Sequence, residues 1–99
     1  MIIVAGTVRI PEDKIEALRP TAQATLAATR KEAGCIVYSY AFDVEDRGLI
    51  RIFERWESRA HLDAHLKAPH MGPWRAKLAE IGASGRDIKV YEAGEGTSV

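Results

Sequence analysis

Several features that would place a chain quickly are scarce here. There is one cysteine, Cys35, so no disulfide can close within the chain. A reducing compartment, the cytoplasm, is expected. Neither sign of charge dominates, because 14 Lys and Arg balance 14 Asp and Glu. Nucleic acid and anionic membrane surfaces both reward net positive charge, so neither is an expected partner. No apolar run approaches the roughly 20 residues that cross a bilayer. The opening MIIVAGTVRIPEDK has no basic leader and no cleavage pattern, so no secretion signal is expected. Nor do the glycines fall at phosphate-loop or dinucleotide spacing, which removes the usual fingerprint of a nucleotide or flavin. At 99 residues one domain is expected, with its body over 1–93 and GEGTSV, 94–99, as a flexible tail.

What the chain does have is hydrophobic periodicity that changes along its length. IIVAGTVRI, 2–10, is rich in β-branched residues, stops at Pro11 and predicts a strand. PEDK then puts proline and acid where helices start. Ile15, Leu18, Ala22 and Leu26 recur at helical spacing, which predicts a helix to about Ala33 with Gly34 beyond its end. Pro20 is expected to kink it, since an interior proline removes a backbone bond at about 3 kcal/mol. CIVYSYAF, 35–42, and LIRIFERW, 49–56, flank the polar turn DVEDRG and predict a hairpin. Ser58 suits the N-cap of a helix from Arg59 to about Lys67. Pro69, Gly72 and Pro73 interrupt it, a further helix opens at Trp74, and Gly82 ends that one. DIKVYEA, 87–93, predicts the last strand. The order β-α-β-β-α-β is that of a ferredoxin-like α+β fold, an antiparallel sheet with its helices on one face.

The strands do not alternate cleanly. In the second, Ile36, Tyr38, Tyr40 and Phe42 are expected on one face and Cys35, Val37 and Ala41 on the other. In the third, Leu49 and Phe53 oppose Ile50 and Ile52. Helices on one side leave the second face uncovered, and monomers avoid large exposed apolar patches. A two-fold homodimer is therefore expected.

KEAGCIVYSYAF followed by FERWESRAHLDAHLKAPHM resembles the antibiotic biosynthesis monooxygenase domain family, including its quinol-monooxygenase-like members. The matching residues are Glu32, Gly34, Cys35 and Tyr38, then Phe53, Glu54, Trp56, Ser58, Leu62, His65, Pro69 and His70. The resemblance implies a dimeric α+β barrel with a ligand pocket between sheet and helices in each subunit. It also implies oxygenation of small electron-rich aromatics, often without metal or flavin. Haem cleavage, found in other members, is not expected. Where haem-degrading relatives carry a helix tryptophan this chain has His65, and IIVAGTVRI lacks their asparagine.

All three histidines and one of the two tryptophans fall within HLDAHLKAPHMGPW, 61–74. His65 borders the stripe marked by Leu62 and Leu66, and the break that follows leaves a gap. That gap is expected to be rimmed by His65, His70 and Trp74, with Tyr40 and Trp56 as aromatic walls from the sheet. The catalytic expectation is His65 as the base, with His70 as helper. A histidine titrates near neutrality and suits removal of a phenolic proton. Trp56, Trp74 and Tyr40 are expected to hold the ring. The expected reaction is cofactor-independent monooxygenation of a quinol or anthrone-like aromatic by molecular oxygen. A ligand-binding barrel without catalysis and an isomerase of a small carbonyl compound are the alternatives. Each residue also has a plain structural reading: a satisfied half-buried histidine, a loop cap, core tryptophans. Glu54 is expected in an ion pair with Arg51 or Arg55, and His61 in solvent. His61 and His65 have an i, i+4 metal spacing, but the glutamate of H-E-x-x-H is missing and no third ligand is evident, so no metal is expected. Cys35 is expected to be a buried thiol.

Overall fold

The computed structural model describes residues 1–99. Four strands, β1 (Ile2–Arg9), β2 (Cys35–Phe42), β3 (Leu49–Trp56) and β4 (Ser84–Glu92), form one antiparallel sheet in the order β2-β3-β1-β4. Three helices, α1 (Ile15–Thr29), α2 (Arg59–Leu66) and α3 (Met71–Ile81), complete the α+β ferredoxin-like fold. No helix is long and apolar enough to cross a membrane.

The register fixes which side chains meet the helices. Trp56 pairs with Ile2, Glu54 with Val4 and Ile50 with Val8 across β1 and β3; Tyr38 faces Glu54 and Tyr40 faces Ile52 across β2 and β3. Side chains directly opposite share a face, so these residues form the covered side. Its packing has two ends. Val8, Ile10, Ile15, Leu18, Ile50, Ile52, Met71, Trp74 and Ile81 form one, and Ile2, Val4, Tyr38, Trp56 and Leu62 the other. The opposite face shows Ile3, Ala5 and Val37 half-buried, with Phe53 41% and Tyr91 49% exposed.

Four expectations need correction. The first helix stops at Thr29, not Ala33. Lys31 and Glu32 donate to carbonyls three residues back, those of Ala28 and Thr29, which tightens the chain out of α-helical register. Gly34 then takes φ +80°, where a Cβ would also lie 2.2 Å from the His61 ring, so only glycine fits. The third helix opens at Met71, not Trp74. Pro73 sits in its first turn, where the missing N–H would have had no helical partner. A bulge at Ile36 makes Cys35 pair with Trp56 while Val37 pairs with Arg55. Cys35 therefore packs on the covered side with Tyr38, and Ile36 turns outward at 45% exposure. Burial raises the Cys35 thiol pKa, with Glu32 adding to it. Finally, Glu54 makes no ion pair. Arg51 bonds Asp43 at 2.8 Å and Arg55 donates to Met1 Sδ. Both arginines alternate away from Glu54 along β3, so neither can reach its face.

Candidate functional site

His65 owes its position to the start of α2. Ser58 caps the helix by accepting the His61 N–H at 3.3 Å. That sets the phase in which Leu62 and His65, one turn apart, are the two buried residues of α2. The His65 ring is 1% exposed. It lies 4.8 Å from the Trp56 ring and meets the edge of Tyr38 at 5.1 Å. Its Nδ1 is 2.6 Å from Glu32 Oε2. Glu32 reaches it from the tightened turn after α1, 33 residues away in sequence.

The protonation of this pair follows from competing effects. Burial lowers the His65 pKa and the Glu32 carboxylate opposes that, with burial the stronger. The imidazole is therefore neutral at pH 7. A carboxylate only accepts, so Nδ1 carries the hydrogen and Nε2 the free lone pair. Nε2 has no hydrogen-bond partner in the protein, yet no sealed side-chain nitrogen or oxygen lacks one. Nε2 therefore keeps some accessible surface.

His65 lines a cavity of about 190 Å³ between the covered face of the sheet and helices α2 and α3. Twelve of its 16 lining residues are hydrophobic; the four others are Glu54, His65, Arg75 and Arg86. An apolar site with a few placed polar groups is the usual form of a small-molecule pocket. The volume is modest: about 150 Å³ of apolar cavity suffices for benzene. Glu54, 7% exposed, accepts the Trp56 Nε1–H at 2.9 Å. Burial pushes its carboxyl pKa up to about 7, against the Trp56 bond and the Arg86 charge. Tyr38 and Tyr40 share a hydroxyl–hydroxyl bond, and burial raises both phenols, so both stay protonated near neutrality. Tyr40 also stacks on Trp74, centroids 5.1 Å apart and planes 15° from parallel. The stacked pair is a partition. Beyond it, under α1, lies a second apolar cavity of about 120 Å³ lined by Leu18, Ala22, Leu26 and Phe42 among others.

Of the five residues singled out in the sequence, His65, Tyr40 and Trp74 line the larger cavity. Trp56 does not. It is 0% exposed and backs both His65 and Glu54. His70 also lies off the cavity, its Nε2 3.1 Å from Thr29 Oγ1 and 3.4 Å from Glu32 Oε2. His61, expected in solvent, bonds Ser58 Oγ at 2.7 Å and covers Gly34. Glu32, Tyr38 and Glu54 are site groups that sequence reasoning did not assign. For Glu54 the signal existed: it shares the alternation of Ile50, Ile52 and Trp56. For Glu32 there was none beyond its place in the family pattern.

Glu32, His65 and His70 also offer three ligand atoms within 4.8 Å of one another. This is a two-histidine, one-carboxylate set that could hold a divalent metal, a third-ligand possibility the sequence did not reveal. The spacing favours a proton instead. Ligands about 2.0–2.1 Å from one tetrahedral ion stand about 3.3 Å apart, whereas Nδ1 and Oε2 are 2.6 Å apart.

The fold and cavity define a small ferredoxin-like domain with a pocket between sheet and helices. The family model for antibiotic biosynthesis monooxygenase matches residues 1–77, and the chain belongs to that family. The uncharacterised protein sll1783 of Synechocystis is 33% identical over 94 residues, which are 95% of this chain and 64% of that protein; the chain thus spans a little under two thirds of this relative. Rv0793 of Mycobacterium tuberculosis, a candidate monooxygenase, is 38% identical over 69 residues, 70% of this chain and 67% of its own. Its solved structure matches with a TM-score of 0.82 at 28% identity, covering 98% of each chain. The crystal structure of a candidate antibiotic biosynthesis monooxygenase from Deinococcus radiodurans matches with a TM-score of 0.92 at 28% identity, covering 100% of this chain and 98% of the other.

Proposed function

We propose that the chain oxygenates a small phenolic ring with molecular oxygen, the substrate supplying the electrons and His65 acting as the base. The observation that carries this reading is the tethered histidine. Its Nδ1–H is held by Glu32 at 2.6 Å, its other nitrogen has no partner in the protein, and the residue lines an apolar cavity of about 190 Å³. Ground-state oxygen reacts slowly with closed-shell molecules, and deprotonating a quinol makes it a far better one-electron donor.

The steps balance. His65 Nε2 takes the phenolic proton. The phenolate passes one electron to oxygen, and the radical pair joins at the neighbouring ring carbon. The imidazolium returns its proton to the peroxide. The O–O bond then breaks with loss of water, the carbon's hydrogen leaving as a proton, and a carbonyl remains. One oxygen atom ends in the product and one in water, and the ring is the four-electron donor. Tyr40 and Trp74 form the aromatic wall, and Glu32 fixes the tautomer. His70 supports Glu32 from the side away from the cavity, and Trp56 backs the histidine ring. The cavity volume suits a one-ring quinol. An anthrone-like tricycle would need the Tyr40–Trp74 partition to open into the second cavity.

The subunit is proposed to pair through its open sheet face. Phe53 and Tyr91 lie there exposed beside half-buried Ile3 and Val37, and a second copy related by a two-fold axis would bury them. Sizing at micromolar concentration is expected to give a particle of twice the chain mass; a lone subunit would reject the barrel.

Oxygen uptake with hydroquinone tests the chemistry. Wild type should consume one O₂ per hydroquinone and yield a hydroxyquinone, and His65→Ala should fall by about 100-fold or more. Equal rates would reject His65 as base. One observation favours isomerisation instead: His65 and Glu54 line the same cavity, and the Glu54 carboxyl pKa is pushed up to about 7. Turnover of a carbonyl compound without oxygen consumption would identify that reaction.

A further inference from the structure

The cavity has an open side, and its electrostatics differ from those of its interior. Among its lining residues, Leu66 and Val90 are 41% and 42% exposed, and Arg75 and Arg86 are exposed too. They mark a mouth between α3, which carries Arg75, and β4, which carries Arg86. Four other arginines are matched with carboxylates: Arg9 with Asp46, Arg19 with Glu16, Arg51 with Asp43 and Arg59 with Asp63. The two at the mouth are not, nor are Arg30, Arg47 and Arg55, but only Arg75 and Arg86 line the cavity. The Arg75 side chain donates only to the Leu66 carbonyl, at 2.6 Å, and the Arg86 side chain makes no hydrogen bond. Both charges are felt inside. Arg86 acts on Glu54, and Arg75 acts on His65.

We propose that this mouth selects a ring carrying a carboxylate, held between the Arg75 and Arg86 guanidiniums while the phenolic edge points inward to His65. The inference rests on the reading of the cavity as an aromatic site and names its substrate class: single-ring hydroxyaryl carboxylates. A neutral ring seated here leaves the two guanidiniums at the mouth without an anionic partner. A carboxylate offers two oxygens to each planar fork, the geometry guanidinium recognises best. A carboxylate conjugated with its ring is also flat, as a slot between a helix and a strand requires. The interior enforces the orientation. Twelve of the 16 lining residues are apolar, so a ligand carboxylate placed inward would lose its water without a cationic partner. The cavity volume takes the ring, and the acid group is left at the opening.

Binding, read by tryptophan fluorescence or calorimetry, separates this proposal from the chemistry. The probes are 2,5-dihydroxybenzoate and hydroquinone, which differ by one carboxylate. Wild type should bind the acid about tenfold or more tighter than hydroquinone. Raising salt from 50 to 500 mM should weaken the acid and leave hydroquinone unaltered. In Arg75→Gln/Arg86→Gln the preference should fall to about unity, and in Arg86→Lys it should be partly retained. Melting curves confirm that the variants fold. Equal affinity for the two probes in wild type would overturn the proposal and leave the quinol reading standing. So would a preference that survives in the double variant. If neither ring binds, the aromatic reading of the cavity fails and this proposal falls with it.

Discussion

At one end of the helix-covered core, Val8, Ile10, Leu18, Ile50 and Trp74 pack with no ionisable side chain among them. At the other end, Ile2, Val4, Tyr38, Trp56 and Leu62 enclose a histidine and a carboxyl, each held by a single hydrogen bond. Both ends are built from the same sheet. The apolar end contributes stability through area removed from solvent. The polar end gives up part of that gain, since each buried ionisable group disfavours its charged form. Burial drives His65 towards neutrality and Glu54 towards protonation. Both groups line the cavity to which the proposed reaction is assigned.

The contrast can be broken from either end. Ile50→Ala, in the apolar end, should lower stability by about 2–5 kcal/mol in denaturant titration. It should leave the pH at which the rate falls unchanged, because no titrating group lies in that cluster. A moved pH profile would mean that the two ends are coupled.

Glu54→Gln should act on pH dependence instead. In the folded chain the Glu54 carboxyl keeps its proton up to about pH 7, whereas its ordinary value is 4.5. The folded state binds more protons across that window, so this group makes stability fall as pH rises from 4.5 to about 7. The interval corresponds to about 3 kcal/mol. His65 has the opposite sign. Its folded pKa lies below the ordinary 6.5, so the stability tied to its neutral form is whole above 6.5 and is lost as pH falls through the folded value. The two trends offset in wild type. Melting from pH 4.5 to 7.5 should show Glu54→Gln more stable than wild type at pH 7, with only the histidine trend remaining. No gain at pH 7 would show that the Glu54 carboxyl is not strained by burial.

Glu32→Gln should have the smallest effect, a fall in turnover of about 10- to 100-fold, as expected for loss of a partner that orients an imidazole. Glu32 raises the His65 pKa, so its removal should also move the acid limb of the rate profile to lower pH. A fall in rate with the limb unmoved would assign Glu32 a packing role alone.

The element order and the opposition of Leu49 and Phe53 to Ile50 and Ile52 in β3 were legible in the sequence, because β-branched runs, helical spacing and turn residues agree there; which of the two faces is covered was not. What escaped depended on register and on distant contacts. One bulged residue, Ile36, moves Cys35 to the covered side, and no local pattern announces it. Glu54 was read by its neighbours Arg51 and Arg55 when its alternation with Ile52 and Trp56 mattered more. Glu32 reaches His65 only because the chain tightens after Thr29. The position of His65 at the cavity was within reach, since Leu62 and its helix phase fix it. Trp56 and His70 could be placed near the site but not behind it, because both depths depend on how the broken helix seats on the sheet.

Burial holds His65 neutral, with its hydrogen on Nδ1 towards Glu32 and its lone pair on Nε2. Long-range ¹H–¹⁵N correlation on labelled protein at pH 7, assigned through His65→Gln, reads this directly. A neutral ring protonated at Nδ1, and remaining so below pH 6.5, is the predicted result. A ring protonated at Nε2, or an imidazolium at pH 7, would contradict it and remove the base from the reaction.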